Sequence, residues 1–233
     1  MKGILYGVGL GPGDPELMTL KADRLIRTTK VIAYPTLAGA ESFARSIAAQ
    51  AIPDDAREIV MDVPMTVARQ PAQDAYDAGA AEIRAALDAG ENVVCLCEGD
   101  PFFYGSFMYL FARLSADYDC QIVPGVTSMT ASAAVTGTPL AARNEVLTII
   151  PGPLAEDALE ARMKDADSLC IMKVGRHLSK LRDVITRLGL LDQAIYIERA
   201  TLAAQVTMPL AQAPEKAPYF SMILITKGAD PWL

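Results

Sequence analysis

Two glycine-rich turns constrain the fold of this chain more than any other feature of its sequence. The first spans residues 7–15 and the second residues 98–105, and each follows an apolar run and precedes an amphipathic segment. This pattern is typical of a strand that ends in a tight loop and opens a helix. In open α/β sheets such loops lie at the carboxyl ends of strands, where ligands bind. We therefore expect both turns to contribute to one ligand-binding cleft.

Strand and helix patterns alternate along the first half of the chain, which predicts a mostly parallel sheet. Pro35 is expected to end the second strand, and the predicted strands of this half are 3–9, 30–34, 57–63, 92–97 and 120–123. In the second half, segments 204–209 and 220–226 follow each other without a clear helix, which favours antiparallel pairing. The sequence thus predicts two α/β domains, residues 1–120 around a mostly parallel sheet and 121–233 around a mixed sheet.

Composition and charge exclude several classes of protein. The chain has 233 residues, 52% of them hydrophobic, and can bury a sizeable core. No apolar run reaches the roughly 18 residues that span a bilayer, and the first residues enter a strand pattern without a signal-peptide region. We expect a soluble, cytoplasmic protein with no membrane partner. The formal net charge of −7 argues against a nucleic-acid partner, although a local arginine cluster could still bind an anionic small ligand.

Cysteine and histidine usage argues against a metal site. None of the four cysteines forms a CxxC pair, and Cys95 and Cys97 are two apart in an apolar run, so both should face the core. The one histidine, His177, would have to serve alone in a zinc site or a Ser-His-Asp triad. We expect no metal.

The first turn also invites comparison with dinucleotide-binding loops. Gly7, Gly9 and Gly11 alternate, but the G-x-G-x-x-G pattern requires the third glycine one residue later. An acidic residue should also close the second strand, where Tyr34 and Pro35 stand instead. A nicotinamide or flavin oxidoreductase is therefore the less favoured interpretation.

The motifs resemble those of the tetrapyrrole (corrin/porphyrin) methylases, in order and over essentially the whole chain. The matching segments are 9–22 (GLGPGDPELMTLKA), 98–105 (EGDPFFYG), 123–128 (VPGVTS), 136–140 (TGTPL), 172–176 (MKVGR), 198–201 (ERAT) and 221–225 (SMILI). Within the family, segments 6–9, 102–110 and 173–176 are most similar to the precorrin-2 C-20 methyltransferases of cobalamin synthesis.

The resemblance implies that S-adenosylmethionine (SAM) binds in a cleft between the two domains of the chain and leaves as S-adenosylhomocysteine. It also implies that the protein is a homodimer. The implied cofactor residues are Pro12, Gly99, Asp100, Phe103, Tyr104, Thr127, Ser128, Lys173, Val174, Ala200 and Thr201. Gly99 would let a ligand approach the main chain, and Asp100 could accept hydrogen bonds from SAM. Taken alone, Asp100 could equally be a helix N-cap before Pro101, and Phe103 and Tyr104 could be core aromatics.

Methyl transfer from a sulfonium is a direct displacement, so it needs positioning and water exclusion rather than a metal or a nucleophilic side chain. The similarity to the precorrin-2 C-20 methyltransferases implies that the electron-rich C-20 meso carbon of precorrin-2 takes the methyl group and that precorrin-3A forms. The macrocycle is rimmed with carboxylates and needs cationic partners. The candidate substrate residues are Gly11, Gly13, Asp14, Tyr34, Arg69, Arg143, Arg176 and Arg199.

No general base is identified from the sequence, and Tyr34 is the one weak candidate for a catalytic residue. The uroporphyrinogen-III methylases of the family carry an aspartate just after the second strand, where Pro35 stands here. This departure argues against their acid–base chemistry and their substrate.

Several alternatives stay open. The substrate could carry cobalt, as in the anaerobic route, or the chain could be another tetrapyrrole methylase. Ribosomal-RNA ribose methyltransferases and diphthine synthases share the implied fold, but an RNA enzyme should show basic clustering. A non-catalytic tetrapyrrole carrier is the interpretation from a different class, and the dense SAM-type motifs argue against it.

Overall fold

The computed structural model describes residues 1–37, 40–64 and 68–228, and it divides into two compact units, Met1–Thr127 and Ser128–Leu233. The strands are β1 Leu5–Gly9, β2 Val31–Thr36, β3 Arg57–Asp62, β4 Val93–Cys97, β5 Cys120–Val123, β6 Leu147–Pro151, β7 Ser168–Met172, β8 Ala194–Glu198, β9 Val206–Pro209 and β10 Ser221–Thr226. The α-helices are α1 Leu20–Thr28, α2 Phe43–Ala48, α3 Gln70–Asp88, α4 Phe107–Leu114, α5 Ser128–Thr136, α6 Glu156–Lys164 and α7 Leu178–Arg187.

The first unit is built on a five-stranded sheet in the order β3-β2-β4-β1-β5. All of its strand pairs are parallel, which confirms the prediction for this half. Strand β4 lies at the centre and is buried along its whole length, as expected of a strand covered on both faces. Cys95 and Cys97 lie in the same buried cluster, so the predicted core position of both thiols is confirmed.

The unit boundary lies after Thr127, beyond the predicted boundary at residues 120 and 121. The reason is the pairing of β5, which aligns Leu5 with Cys120 and Val8 with Val123. Strand β5 therefore completes the first sheet rather than opening the second.

Pro35 does not end the second strand, contrary to the sequence prediction. Strand β2 continues to Thr36, and Pro35 is aligned with Met61 of β3. The last pair between β2 and β4 is Ala33 with Cys95, so Pro35 lies where β2 is paired on one side only. A residue without an N–H group is tolerated at such a position because fewer ladder bonds depend on it.

The second unit holds a five-stranded sheet in the order β6-β7-β10-β8-β9. Strands β6 and β7 are parallel, whereas β10 is antiparallel to both β7 and β8, and β9 is antiparallel to β8. The predicted mixed sheet is thus confirmed. Helix α5 was not predicted, because its small residues, such as Ala131 and Ser132, give little contrast between a buried and an exposed face.

Helices pack against both sheets. Helices α6 and α7 contribute to one buried cluster of the second unit, and residues of α5 pack against another. No helix in the described ranges is long and apolar enough to cross a membrane.

Candidate ligand-binding site

The two glycine-rich turns meet at the carboxyl edge of the first sheet. The N–H of Gly11 donates to the carbonyl of Gly99 at 3.2 Å, and the N–H of Gly99 donates back to the carbonyl of Gly11 at 2.8 Å. This reciprocal pair is an isolated antiparallel bridge outside the regular strands. The structure therefore brings the two turns together, as their place after neighbouring strands predicts.

A third loop, which follows β5, packs against the same bridge. A Cβ atom added to Gly125 would lie 2.0 Å from the carbonyl oxygen of Gly99 and 2.9 Å from the main chain of Gly9. Both neighbours are backbone and have little room to move. The loops after β1, β4 and β5 thus contact each other main chain to main chain, which glycine alone permits here.

Asp100 joins two of these loops through its side chain. Its Oδ1 accepts from the N–H of Phe102 at 2.9 Å, and its Oδ2 accepts from the N–H of Gly125 at 3.1 Å. Helix α4 begins only at Phe107, so Asp100 closes the turn after β4 instead of capping that helix. Each carboxylate oxygen has a second lone pair, so Asp100 can still accept hydrogen bonds from a ligand.

Open space lies beside Gly99. Its φ of +63° is in the left-handed region, and an added Cβ would meet nothing within 4 Å. On the first turn, Gly13 has a φ of +151°, and Asp14 accepts from the N–H of Glu16 at 2.9 Å to cap a 3₁₀ turn, Pro15–Leu17. Proline is favoured at the first position of such a turn, because the missing N–H group would have no partner there. Pro12 is half-buried between these residues.

The aromatic residues after Asp100 are not part of the core. Tyr104 is 44% exposed and has a φ of +56°, while Phe103 is half-buried. Their rings meet edge to face with centroids 5.2 Å apart. The alternative that both are core aromatics is therefore wrong for Tyr104.

Tyr34 is tied to a charged pair on β3 and α2. Its hydroxyl donates to Glu58, which also accepts from Arg45 Nε at 2.7 Å and Nη2 at 2.9 Å. Burial and the Glu58 carboxylate raise the pKa of Tyr34 to about 12, and the Arg45 guanidinium lowers the pKa of Glu58. Tyr34 therefore stays a phenol at neutral pH, which is a poor state for a general base.

Glu98 is a residue at this edge that the sequence analysis did not select. Burial raises its pKa, although the main-chain N–H groups of Glu98 and Ala44 favour the charged form. Ala44 lies in the first turn of α2, so the carboxyl group links the end of β4 to that helix. The only sequence signal was its place at the start of the second glycine-rich turn.

The second unit presents a comparable edge. Strands β7 and β8 both run antiparallel to β10, so their carboxyl ends flank the start of β10. Lys173 and Val174 follow β7, and Arg199, Ala200 and Thr201 follow β8. Five predicted cofactor or substrate residues of the second unit therefore lie in two loops at one edge of its sheet. Thr127 and Ser128, also predicted, stand where the chain enters α5.

Backbone strain coincides with the predicted residues. Among the described residues, the non-glycine residues with positive φ are Tyr104, Arg143, Lys173, Arg199 and Thr201, at +56°, +48°, +56°, +47° and +72°. All five are among the cofactor and substrate residues predicted from the sequence. A left-handed conformation costs about 1–2 kcal/mol for a residue with a Cβ. Such strain concentrates at functional sites, where the geometry of a side chain matters more than stability.

The other predicted arginines lie on the surface. Arg143 is exposed, and Arg69 is exposed at the start of α3, beyond the edge strand β3 and two strands away from β4. Arg176 lies in a 3₁₀ turn with its Nε 3.5 Å from His177 Nε2. Partial burial, then Lys180 and Arg176, lower the pKa of His177, so the imidazole is neutral at pH 7.

Comparison with known proteins gives one family. The family model of the tetrapyrrole (corrin/porphyrin) methylases matches residues 4–214. The cobalamin biosynthesis protein CobIJ of Mycobacterium tuberculosis H37Rv is 41% identical over 236 residues, which cover 97% of this chain and 46% of CobIJ. This chain therefore spans about half the length of that relative.

Two further relatives match from end to end. The precorrin-2 C(20)-methyltransferase of a Sinorhizobium species is 39% identical, over 98% of this chain and 97% of the relative. The cobalt-precorrin-2 C(20)-methyltransferase of Salmonella typhimurium is 29% identical, over 97% and 98%.

Solved structures share the fold. The cobalt precorrin-4 methyltransferase CbiF superposes with a TM-score of 0.72 at 20% identity, over 96% of this chain and 94% of CbiF. The uroporphyrin-III C-methyltransferase of Thermus thermophilus, solved in complex with S-adenyl homocysteine, gives a TM-score of 0.68 at 27% identity, over 95% and 97%.

Proposed function

The chain belongs to the tetrapyrrole (corrin/porphyrin) methylase family, and from that premise we propose that it methylates the C-20 meso carbon of precorrin-2. The methyl donor is SAM, and the products are precorrin-3A and S-adenosylhomocysteine. The observation that carries the proposal is the end-to-end similarity, at 39% identity, to a protein named for this reaction. A homodimer in the cytoplasm is part of the same proposal.

The residues of the first unit fit the cofactor. SAM carries ribose hydroxyls and an α-ammonium group that need acceptors, and a flat adenine that needs close approach to a surface. Asp100 offers carboxylate oxygens that are already held in place by two main-chain N–H groups. The open space beside Gly99 admits a ligand to the main chain, and the Thermus relative was solved with the demethylated product of SAM.

When bound, SAM supplies a methyl group already activated by the positive sulfur. The residues of this chain then have to hold donor and acceptor in line and keep water away. A rigid main-chain cradle suits this task, because the interlocked loops at Gly9, Gly99 and Gly125 leave little freedom to reorganise. No side-chain nucleophile is required.

The arginines suit the carboxylates of the macrocycle. Arg143 and Arg199 have left-handed backbones, which fixes where each side chain starts, and Arg176 follows the same strand as Lys173. A guanidinium can bind a carboxylate through two parallel hydrogen bonds. We therefore assign these three arginines to the substrate, together with Arg69 of the first unit.

We propose metal-free precorrin-2, rather than its cobalt complex, as the substrate. The relative named for metal-free precorrin-2 is 39% identical, whereas the relative named for cobalt-precorrin-2 is 29% identical over a comparable share of the chain. Cobalt-precorrin-2 is the second candidate, because that similarity also extends from end to end.

A single-turnover assay tests the proposal. Purified protein is mixed anaerobically with methyl-labelled SAM and either precorrin-2 or its cobalt complex, and the label is located by NMR. We expect label at C-20 of the metal-free macrocycle. Preferential transfer to the cobalt complex would select the second candidate. Measurable SAM binding without transfer to either macrocycle would refute the C-20 assignment.

A further inference from the structure

A buried network of three side chains lies at the carboxyl end of β8. Tyr196 is fully buried, and its hydroxyl donates to Glu198 Oε1 at 2.8 Å. Arg199 Nη1 donates to Glu198 Oε2 at 3.1 Å. Glu198 is itself only 9% exposed, so a buried carboxylate connects a phenol in the core to a guanidinium at the edge of the sheet.

The main chain of Arg199 is fixed as well. Its φ is +47°, its N–H donates to the carbonyl of Phe220 at 2.9 Å, and its carbonyl accepts from Leu202 N at 3.0 Å. The side chain is 39% exposed. Within the described ranges Glu198 is the one hydrogen-bond partner of the guanidinium, which leaves most of its five N–H donors for a ligand.

This arrangement costs stability without an evident structural return. Burial of the Glu198 carboxylate removes it from water, and the pairing with Arg199 seldom repays that loss in full. The left-handed backbone of Arg199 adds a second cost. Burial and the Glu198 carboxylate raise the pKa of Tyr196, so the phenol remains a donor throughout the neutral range. A costly, fully paired network that ends in a half-exposed guanidinium indicates a binding role.

The neighbouring loop gives the edge a positive character. Ser221 is paired with Glu198 across β8 and β10, and its Oγ accepts from the N–H of Gly175 in the loop after β7. That loop carries Lys173 and Arg176, and segments 173–177 and 199–205 contain no acidic residue. In a chain with a net charge of −7, such an edge favours an anionic group.

We propose that Tyr196 and Glu198 are positioning residues that hold the Arg199 guanidinium against a carboxylate of a bound ligand. The inference rests on the proposed function, which supplies two ligands with carboxylates, the cofactor and the macrocycle. Glu198 orients the fork of donors, and Tyr196 holds Glu198 by occupying its other oxygen. Neither residue touches the reacting atoms.

A double-mutant cycle tests this role in the full-length protein. The variants are Glu198→Gln, Arg199→Met and the double variant. The matched control is Glu156→Gln, which alters the exposed pair of Glu156 with Arg187 in the same unit. Calorimetry gives the dissociation constant of S-adenosylhomocysteine, an anaerobic absorbance titration gives that of precorrin-2, and thermal unfolding checks that each variant is folded.

We expect Glu198→Gln and Arg199→Met each to weaken the binding of one of the two ligands about tenfold. This factor corresponds to about 1.4 kcal/mol. The double variant should bind no more weakly than Arg199→Met alone, because Glu198 acts only through Arg199. A purely structural role of Glu198 would lower the unfolding temperature without this coupling in affinity. The control should bind both ligands as the wild type does.

The ligand whose affinity falls is the one that carries the carboxylate bound by Arg199. Unchanged affinity for both ligands, or fully additive losses, would overturn the inference. If Glu198→Gln does not fold, Tyr196→Phe combined with Arg199→Met completes the same cycle. If the wild type does not bind precorrin-2, the proposed function fails, and the cycle measured with S-adenosylhomocysteine alone decides the role of Glu198.

Discussion

The open space beside Gly99 allows a direct test of the proposed cofactor site. Replacement of Gly99 by alanine places a methyl group where nothing lies within 4 Å, at a φ of +63°. Gly189, which follows the last turn of α7, is a matched control with a φ of +68° and equally open surroundings. Alanine in the left-handed region costs about 1–2 kcal/mol at either position. Both variants should therefore lose the same free energy of unfolding, measured in urea.

The two variants should differ in cofactor affinity. If SAM lies against the main chain of Gly99, the new methyl group occupies part of its volume. We expect Gly99→Ala to weaken binding of S-adenosylhomocysteine at least tenfold, or about 1.4 kcal/mol, as measured by calorimetry. Gly189→Ala should bind as the wild type does. Equal affinity of the two variants would refute the assignment of this space to the cofactor.

Three further predictions concern the same unit. Gly125→Ala forces a Cβ to within 2.0 Å of a backbone carbonyl, so we expect a loss of about 3 kcal/mol or more in urea unfolding, and a loss below 1 kcal/mol would contradict the close approach of the loops. Asp100→Ala removes the acceptor of two main-chain N–H groups, from Phe102 and Gly125, and should cost about 1–2 kcal/mol together with affinity for S-adenosylhomocysteine, which calorimetry and urea unfolding measure separately. The folded pKa of Tyr34 is about 12, above the unfolded value of about 10, so its contribution to stability is complete below pH 10 and falls as pH rises toward 12. Unfolding at pH 8 and pH 10.5 should show this decline in the wild type but less of it in Tyr34→Phe, and equal declines would contradict the shifted pKa.

The strands were predictable because each is an apolar run with turn residues at its ends. Strand β5 begins and ends where the sequence predicts, and the other strands of the first unit differ from their predicted bounds by one or two residues at one or both ends. The prediction that Pro35 ends the second strand was wrong. Whether a proline ends a strand depends on whether a neighbouring strand needs its N–H group, which is a property of the sheet and not of the local sequence. Helix α5 escaped because a run of alanine, serine and threonine has no strong periodicity.

The site was predictable in its loops and less so in its contacts. Strand order places the turns after β1 and β4 side by side, and the sequence pattern anticipated that meeting. The Tyr196–Glu198–Arg199 network was not predicted from the sequence. The alternation along β8 indicates only that Tyr196 and Glu198 lie on the same face of the strand. Nothing in the sequence says that a carboxylate on that face is buried and paired.

The unfavourable features of this chain are concentrated at the carboxyl ends of its strands. Among the residues that the structure describes, four of the five strained non-glycine residues lie in predicted binding loops after strands, whereas Arg143 lies between α5 and β6. Glycine would relieve the strain at each of these positions, yet tyrosine, arginine, lysine and threonine stand there. Since a left-handed side chain costs about 1–2 kcal/mol, the side chains themselves must contribute something that folding does not require. The buried Glu198 carboxylate and the tightly interlocked glycines add costs of the same kind at the same edges. These costs are those of a chain that holds ligands in a fixed geometry, which the proposed methyl transfer from an activated donor requires.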